Sequence, residues 1–131
     1  MVGNMEKKAG CVFCELPDDR VLCTNEHFLV VEDIYPVTKH HCLIISKRHV
    51  ESYFDLNQQE KINLGEALEL AKNHVDRQDK SVTGYNIGVN VGRDAGQTVM
   101  HFHQHLIPRR SNDMEDPAGG VRGVIPDKQK Y

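Results

Sequence analysis

The run Ala95-Gly96-Gln97-Thr98-Val99-Met100-His101-Phe102-His103-Gln104-His105-Leu106-Ile107-Pro108-Arg109 decides the fold of this chain. Its histidines fall at i, i+2 and i+4. In an extended strand those side chains share one face, about 6–7 Å apart, whereas a helix would scatter them around its axis. Phe102, Leu106 and Ile107 are apolar or aromatic, which suits a strand whose other face packs into a core. Pro108 lacks a backbone donor and is expected to end the run. A lone histidine on a strand is ordinarily a half-buried residue satisfied by its neighbours. Three in alternation would repel one another if protonated, so the array favours neutral rings that serve as metal ligands or nucleophiles. The spacing predicts an active site.

The whole chain bounds what that site belongs to. At 131 residues it is expected to form one domain, 1–131, large enough to bury roughly two-thirds of its unfolded surface. A net charge of −3 argues against general nucleic-acid binding through a basic surface. No apolar run is long enough for a transmembrane helix, and the polar start, residues 1–9, has no signal-like apolar core and is expected to be mobile. Cys11, Cys14, Cys23 and Cys42 therefore read as free thiols or metal ligands in a cytosolic setting.

Working outward from the histidines, Tyr85–Asn90 alternates and predicts a strand. Between it and the histidines, Val91–Gly96 is a turn-rich loop. Its glycines, with Gln97 and Thr98, offer backbone amides and neutral donors of the kind that hold a phosphate. Asn57-Gln58-Gln59-Glu60 resembles a capping box that opens an amphipathic helix of roughly five turns through Ile62, Leu64, Leu68, Ala71 and Val75. His41–Ser46 predicts another strand, left by Lys47-Arg48-His49-Val50, and Val21–Thr24 with Phe28–Glu32 predicts a hairpin. Asp33 lies at the hairpin's end, either as a turn residue or as a carboxylate that accepts ribose hydroxyls. Cys11-Val12-Phe13-Cys14 is ambiguous alone: with no second Cys-x-x-Cys, a zinc site would take its other ligands from histidines. The Gly/Pro-rich residues 111–131 are expected to form an extended arm over the body or a second subunit.

At the histidine strand the sequence resembles the histidine triad (HIT) family, whose signature is His-φ-His-φ-His-φ-φ with φ apolar; here it runs His101-Phe102-His103-Gln104-His105-Leu106-Ile107. The likeness extends to Asn90, Ala95 to Val99, Asp33-Ile34 with His41, and Pro108-Arg109, so that residues 11 to 110 are covered. The Ala-Gly-Gln-Thr-Val segment looks like the dinucleoside-polyphosphate hydrolase branch, and Asp33 looks more like the nucleoside-phosphoramidase branch. Gln104 departs from the apolar pattern, which puts a polar group on the outward side of the strand.

The resemblance implies an α+β fold with an antiparallel sheet of about five strands, one long helix and a short one, and a homodimer. It implies cleavage of a nucleotide substrate at the α-phosphorus by a nucleotide hydrolase or nucleotidyl transferase. His103 would be the nucleophile, forming a nucleotidyl-histidine intermediate, and His105 would support the phosphate. Asp33 would bind ribose, while Asn90, Gly96, Gln97 and Thr98 would contact the phosphate or leaving group. Dinucleoside polyphosphates come first as substrates. The alternatives are a nucleoside phosphoramidase and a non-catalytic nucleotide-binding module. Zinc-containing members further imply a structural Zn2+ on Cys11, Cys14, His49 and His101. The covalent mechanism requires no catalytic metal, and Mg2+ would accompany a polyphosphate substrate.

Overall fold

The structure, a computed structural model, describes residues 7–131. Of the N-terminal stretch expected to be mobile, residues 1–6 lie outside the described residues. The rest folds as expected, with one antiparallel sheet and one long helix. The strands are β1 (Val21–Thr24), β2 (Phe28–Glu32), β3 (Cys42–Ser46), β4 (Gly84–Gly88) and β5 (His103–Arg109), and the helix is α1 (Gln58–Gln78). Spatial order is β1-β2-β3-β5-β4, with every neighbouring pair antiparallel. The chain leaves β3, crosses one face of the sheet as α1, and returns through β4 so that β5 can insert beside β3. The short helix takes the form of single 3₁₀ turns, among them Asp18–Arg20, Tyr53–Asp55 and Arg93–Ala95.

Alternation along the strands sorts the two faces. Phe28, Val30, Ile44, Phe102 and Leu106 pack with Leu64, Ala67, Ala71 and Val75 of α1. Each large apolar side chain so buried contributes about 1.5–3 kcal/mol. The opposite face carries a smaller cluster of Val31, Leu43 and Ile45, partly covered by Phe13 and Leu16 from the N-terminal segment. All five residues of β3 are buried because both of its faces are covered. In the β3–β5 register Ile45 faces His103 and Leu43 faces His105, which puts both imidazoles on the face away from α1.

The start of α1 follows the capping box: Asn57 Oδ1 accepts from the Glu60 N–H at 2.8 Å, and Glu60 Oε1 accepts from the Asn57 N–H at 2.9 Å. Glu60 also accepts two bonds from the Arg48 guanidinium, at 3.0 and 2.8 Å. A carboxylate that is 1% exposed is thus paired on every side, and the helix start is tied to the segment carrying His49.

Some boundaries differ from the sequence reading. β5 begins at His103, so His101 precedes the strand; the Phe102 N–H is drawn to Val50 O at 2.7 Å instead of to a ladder partner. Pro108 does not end the run. It lies inside β5 opposite Tyr85, and its carbonyl accepts from Thr38 Oγ1 at 2.5 Å. The β3 pairing has already stopped at Cys42–Leu106, so the donor that proline lacks has no strand to serve. β3 starts at Cys42 rather than His41, and β4 runs Gly84–Gly88 rather than 85–90. The C-terminal arm is not wholly extended, since it folds into 3₁₀ turns at Gly120–Val124 and Pro126–Lys128.

Candidate active site and metal cluster

The three histidines of the motif have three different environments, and in each the hydrogen-bond partners decide which ring nitrogen carries hydrogen. His101 is fully buried, and its Nε2 is 2.7 Å from the Ser46 carbonyl. A carbonyl only accepts, so Nε2 bears the hydrogen and Nδ1 presents a lone pair. That lone pair points at Cys11 Sγ (3.4 Å), Cys14 Sγ (3.4 Å) and His49 Nδ1 (3.1 Å), with Cys14 Sγ 3.2 Å from His49 Nδ1.

This cluster fits tetrahedral zinc. Metal–ligand lengths of about 2.0 Å to nitrogen and 2.3 Å to sulfur give tetrahedron edges of roughly 3.3–3.8 Å, close to the separations found. Two backbone donors support the sulfurs: the Lys8 N–H points to Cys14 Sγ at 3.3 Å and the Cys14 N–H to Cys11 Sγ at 3.4 Å. Burial raises the Cys14 thiol and pulls the His101 imidazole down to about 4. Without a cation, then, four ligand atoms would crowd together with little to bind them. Two thiolates and two neutral imidazoles answer a dication of borderline softness.

His103 Nδ1 is 2.8 Å from the carbonyl of His101. By the same logic Nδ1 bears the hydrogen, and Nε2 is left as a free nucleophilic lone pair. Phe13, held between the two cysteines, packs edge-on against this ring with centroids 5.0 Å apart.

His105 is set by a residue absent from the sequence-derived list of site residues. The Val37 N–H donates to His41 Nδ1 at 3.0 Å, so His41 carries its hydrogen on Nε2 and donates to His105 Nδ1 at 2.9 Å. His105 must then bear hydrogen on Nε2, where it acts as a donor. Burial, with His103 and His41 nearby, pulls His105 down to about 4, so the ring stays neutral at pH 7. Asp33 Oδ2 lies 3.6 Å from His41 Nε2, while Asp33 Oδ1 accepts the Tyr35 N–H at 2.9 Å. Although Asp33, His41 and His105 are close enough to resemble a metal cluster, the hydrogen on His41 Nε2 makes them a donor chain. His41 fixes the tautomer of His105: in His41→Phe the His105 ring is expected to lose its fixed Nε2–H form, which the imidazole nitrogen shifts in NMR check. Unchanged His105 nitrogen shifts in the variant would remove this role.

The loop before the motif brings some of the expected residues together and commits others elsewhere. Gln97 is 5% exposed, and its Oε1 accepts the Gly92 N–H at 2.9 Å. Its Nε2 donates to Glu51 O at 2.7 Å and Val99 O at 3.1 Å, so both amide hydrogens are engaged within the protein. Gly96 has φ +93°, a conformation that favours glycine, and a side chain there would come within 3.9 Å of Asn90 Nδ2. Asn90 and Thr98 are exposed. The sequence pattern also missed Phe13 and Lys8, whose placement beside the cluster follows only from the folded N-terminal loop. Gln104 turns to the helix side of the sheet, opposite Ile44, and its buried Oε1 has no hydrogen-bond partner among the described residues.

Residues 15–112 match the HIT domain family. The chain is 36% identical over 110 residues to an uncharacterized HIT-like protein of Methanocaldococcus jannaschii, covering 80% of this chain and 83% of that one. Among solved structures it is similar to a HIT family protein from Bacillus anthracis, with TM-score 0.69, 35% identity, and 81% and 77% of the two chains covered. It is also similar to a zinc-bound histidine triad family protein from Mycobacterium smegmatis, with TM-score 0.67, 34% identity, and 82% and 80% covered.

Proposed function

The chain belongs to the HIT family, and from that premise we propose that it cleaves nucleoside phosphate conjugates at the α-phosphorus, dinucleoside polyphosphates foremost. The observation that carries the reading is the division of hydrogens: His103 Nε2 is a lone pair while the adjacent His105 Nε2 is a donor. An attacking base and a donor for a phosphoryl oxygen thus stand side by side, with ring centroids 5.3 Å apart.

In this reading His103 Nε2 attacks the α-phosphorus in line. The N–P bond forms, the P–O bond to the leaving phosphate breaks, and that oxygen keeps the electron pair. His103 becomes a cationic nucleotidyl-imidazolium whose Nδ1–H is held by His101 O, while the His105 donor stabilises charge on the phosphoryl group. Water then attacks phosphorus, the N–P bond breaks with its electron pair returning to His103 Nε2, and the proton released by the water passes to solvent, leaving the mononucleotide and a neutral ring. A phosphate leaving group departs as an anion and needs no added proton, whereas an amine must acquire one. Asp33 is assigned to the ribose, and the exposed Thr98 and Asn90 to phosphate; the Gly96 N–H already donates to Arg93 O at 2.9 Å, so Gly96 is assigned to the turn that presents them. Gln97 is assigned to shaping that loop, because its own amide hydrogens are taken.

Cys11, Cys14, His49 and His101 would hold Zn2+, which when bound closes a four-ligand shell and staples the N-terminal loop beside the nucleophile. Neither metal-competent cluster among the described residues is oxygen-rich, so Mg2+ would arrive with a polyphosphate. We further take the working form to be a cytosolic homodimer of single domains spanning 1–131. Among the described residues no helix is long and apolar enough to cross a membrane.

Steady-state turnover on a panel of dinucleoside polyphosphates and nucleoside phosphoramidates tests the proposal. Polyphosphates are expected to give the larger kcat/KM. The reverse order would make the chain a phosphoramidase, and tight nucleotide binding with no turnover would make it a binding module.

A further inference from the structure

The connection between β2 and β3 carries Asp33 at one end and His41 at the other, and the Asp33 N–H donates to His41 O at 2.9 Å. Its side chains give it little hold on the body, since Ile34, Tyr35 and Val37 are all exposed. It ends in a turn, Thr38-Lys39-His40-His41, closed by the His41 N–H to Thr38 O at 3.1 Å. His40, the third residue of that turn, has φ +73°. A positive φ there makes the turn type II, at a position that favours glycine. A histidine keeps such a conformation only where its surroundings hold it. Here Thr38 Oγ1 donates to Pro108 O at 2.5 Å, His40 Nδ1 lies 2.9 Å from Glu32 Oε2, and Arg110 Nη2 donates to Lys39 O at 3.0 Å. The Arg110 bond acts on the peptide between Lys39 and His40. The orientation of that central peptide is what separates a type II turn from a type I turn, in which the third residue has negative φ.

Arg110 is itself fixed. One hydrogen of Nη2 goes to Lys39 O and the other to Asp79 Oδ2 at 2.9 Å, while Nε–H donates to Ser81 Oγ at 3.1 Å. Ser81 in turn donates to Asp79 Oδ1 at 2.6 Å. Ser81 first, and then the guanidinium, hold the Asp79 carboxyl well below the usual carboxylate range, so that the Asp79–Arg110 pair is ionised. We propose that Arg110 is a positioning residue for the histidine pair: by holding the Lys39 carbonyl it keeps the turn in its type II form, and with it the Val37 N–H on His41 Nδ1 and the His41 hydrogen on His105 Nδ1. Its consequence for catalysis rests on the hydrolase reading above and deepens it. If the Lys39 peptide turns over, His40 relaxes to negative φ and the backbone leading into His41 turns with it. His41 Nδ1 then loses its fixed donor, and His105 loses the partner that keeps its hydrogen on Nε2. Asp79 is the residue that closes the C-terminal end of α1, so the far end of the helix is tied to the donor histidine through one guanidinium.

Imidazole nitrogen shifts in NMR of the isotope-labelled full chain test this without substrate. Arg110→Met keeps the length of the side chain and removes its donors. In it the His41 and His105 signals are expected to move from single-tautomer values toward the average of the two tautomers. Arg110→Lys keeps one charged donor and should move them less. Adding His40→Gly to Arg110→Met should return the signals toward parental values, because glycine holds φ +73° without strain. On a dinucleoside polyphosphate the kcat of Arg110→Met should fall about tenfold and recover in the double variant. Parental shifts or a parental kcat in Arg110→Met, or no return in the double variant, would overturn the proposal. Should Arg110→Met not fold, Asp79→Ala decides in its place: moved His41 and His105 signals uphold the role, and parental ones reject it. If the parent protein turns over no nucleotide, the hydrolase reading fails on its own, and the shifts still decide what Arg110 holds.

Discussion

His103→Ala is expected to lower turnover of a dinucleoside polyphosphate by on the order of 10⁴-fold or more, the scale on which removal of a covalent nucleophile acts. The reason lies in the ring's partners. His101 O holds the hydrogen on Nδ1 at 2.8 Å, which leaves Nε2 as the free lone pair of the motif. His101 has turned its lone pair into the cysteine cluster, and His105 has its Nδ1 lone pair occupied by His41. Neither neighbour can replace the missing nucleophile without breaking its own contacts. Folding should be little affected, because His103 is only partly buried on the face away from α1. Rapid quench of the parent protein with substrate should trap a nucleotidyl adduct, and peptide mapping by mass spectrometry should place it on His103. An alanine variant with parental kcat, or an adduct on another residue, would sink the covalent mechanism.

Cys14→Ala is expected to lose the metal and to lower the melting temperature by about 10 °C or more, a destabilisation on the order of 3 kcal/mol or above. Cys14 Sγ contacts both histidine nitrogens of the cluster, at 3.2 and 3.4 Å, so its removal opens the tetrahedron on two edges. The remaining ligands hold a dication poorly. The N-terminal loop then keeps the packing of Phe13 and Leu16 and the Cys11–His101 contact but loses the metal that would bind it to the sheet. A chelator added to the parent protein should reproduce the shift, and zinc should restore it to the parent but not to the variant. Metal analysis checks the premise directly, at one zinc per chain before and none after. Retention of stoichiometric zinc by the variant would exclude Cys14 as a ligand.

Both results bear on how the site is built. The proposed metal site and the proposed nucleophile share His101, whose Nδ1 would ligate on one side while its carbonyl holds the His103 Nδ1 hydrogen on the other. Loss of the metal should therefore reach catalysis as well as stability. The coupling would run through Phe13 too, since this residue, between Cys11 and Cys14, rests on the His103 ring.

Much of this was readable along the chain. Alternation at His101, His103 and His105, the capping box at Asn57 and Glu60, and the short apolar strands all act over a few residues, where backbone geometry alone relates side chains. Four ligands for a metal could be named only through the resemblance to zinc-containing members of the family, since eight histidines and four cysteines do not by themselves single out the set. Contacts between distant segments were not readable. His41 and His105 are 64 positions apart and become partners only because β5 inserts beside β3. Gln97 read as a phosphate donor until Glu51 O, 46 positions away, was found to take one of its hydrogens. Pro108 read as a terminator because nothing in the sequence shows that β3 ends two residues before it. Residue types and their local period thus determined the short strands, the long helix, the histidine face and the identity of the chemical groups, while the α+β class followed from the family resemblance. Tertiary structure alone set which partner faces each imidazole nitrogen, and with it the tautomers on which the proposed roles of the three histidines rest. A ring's tautomer is chosen by the acceptor or donor that folding places against it, and those partners come from remote parts of the chain.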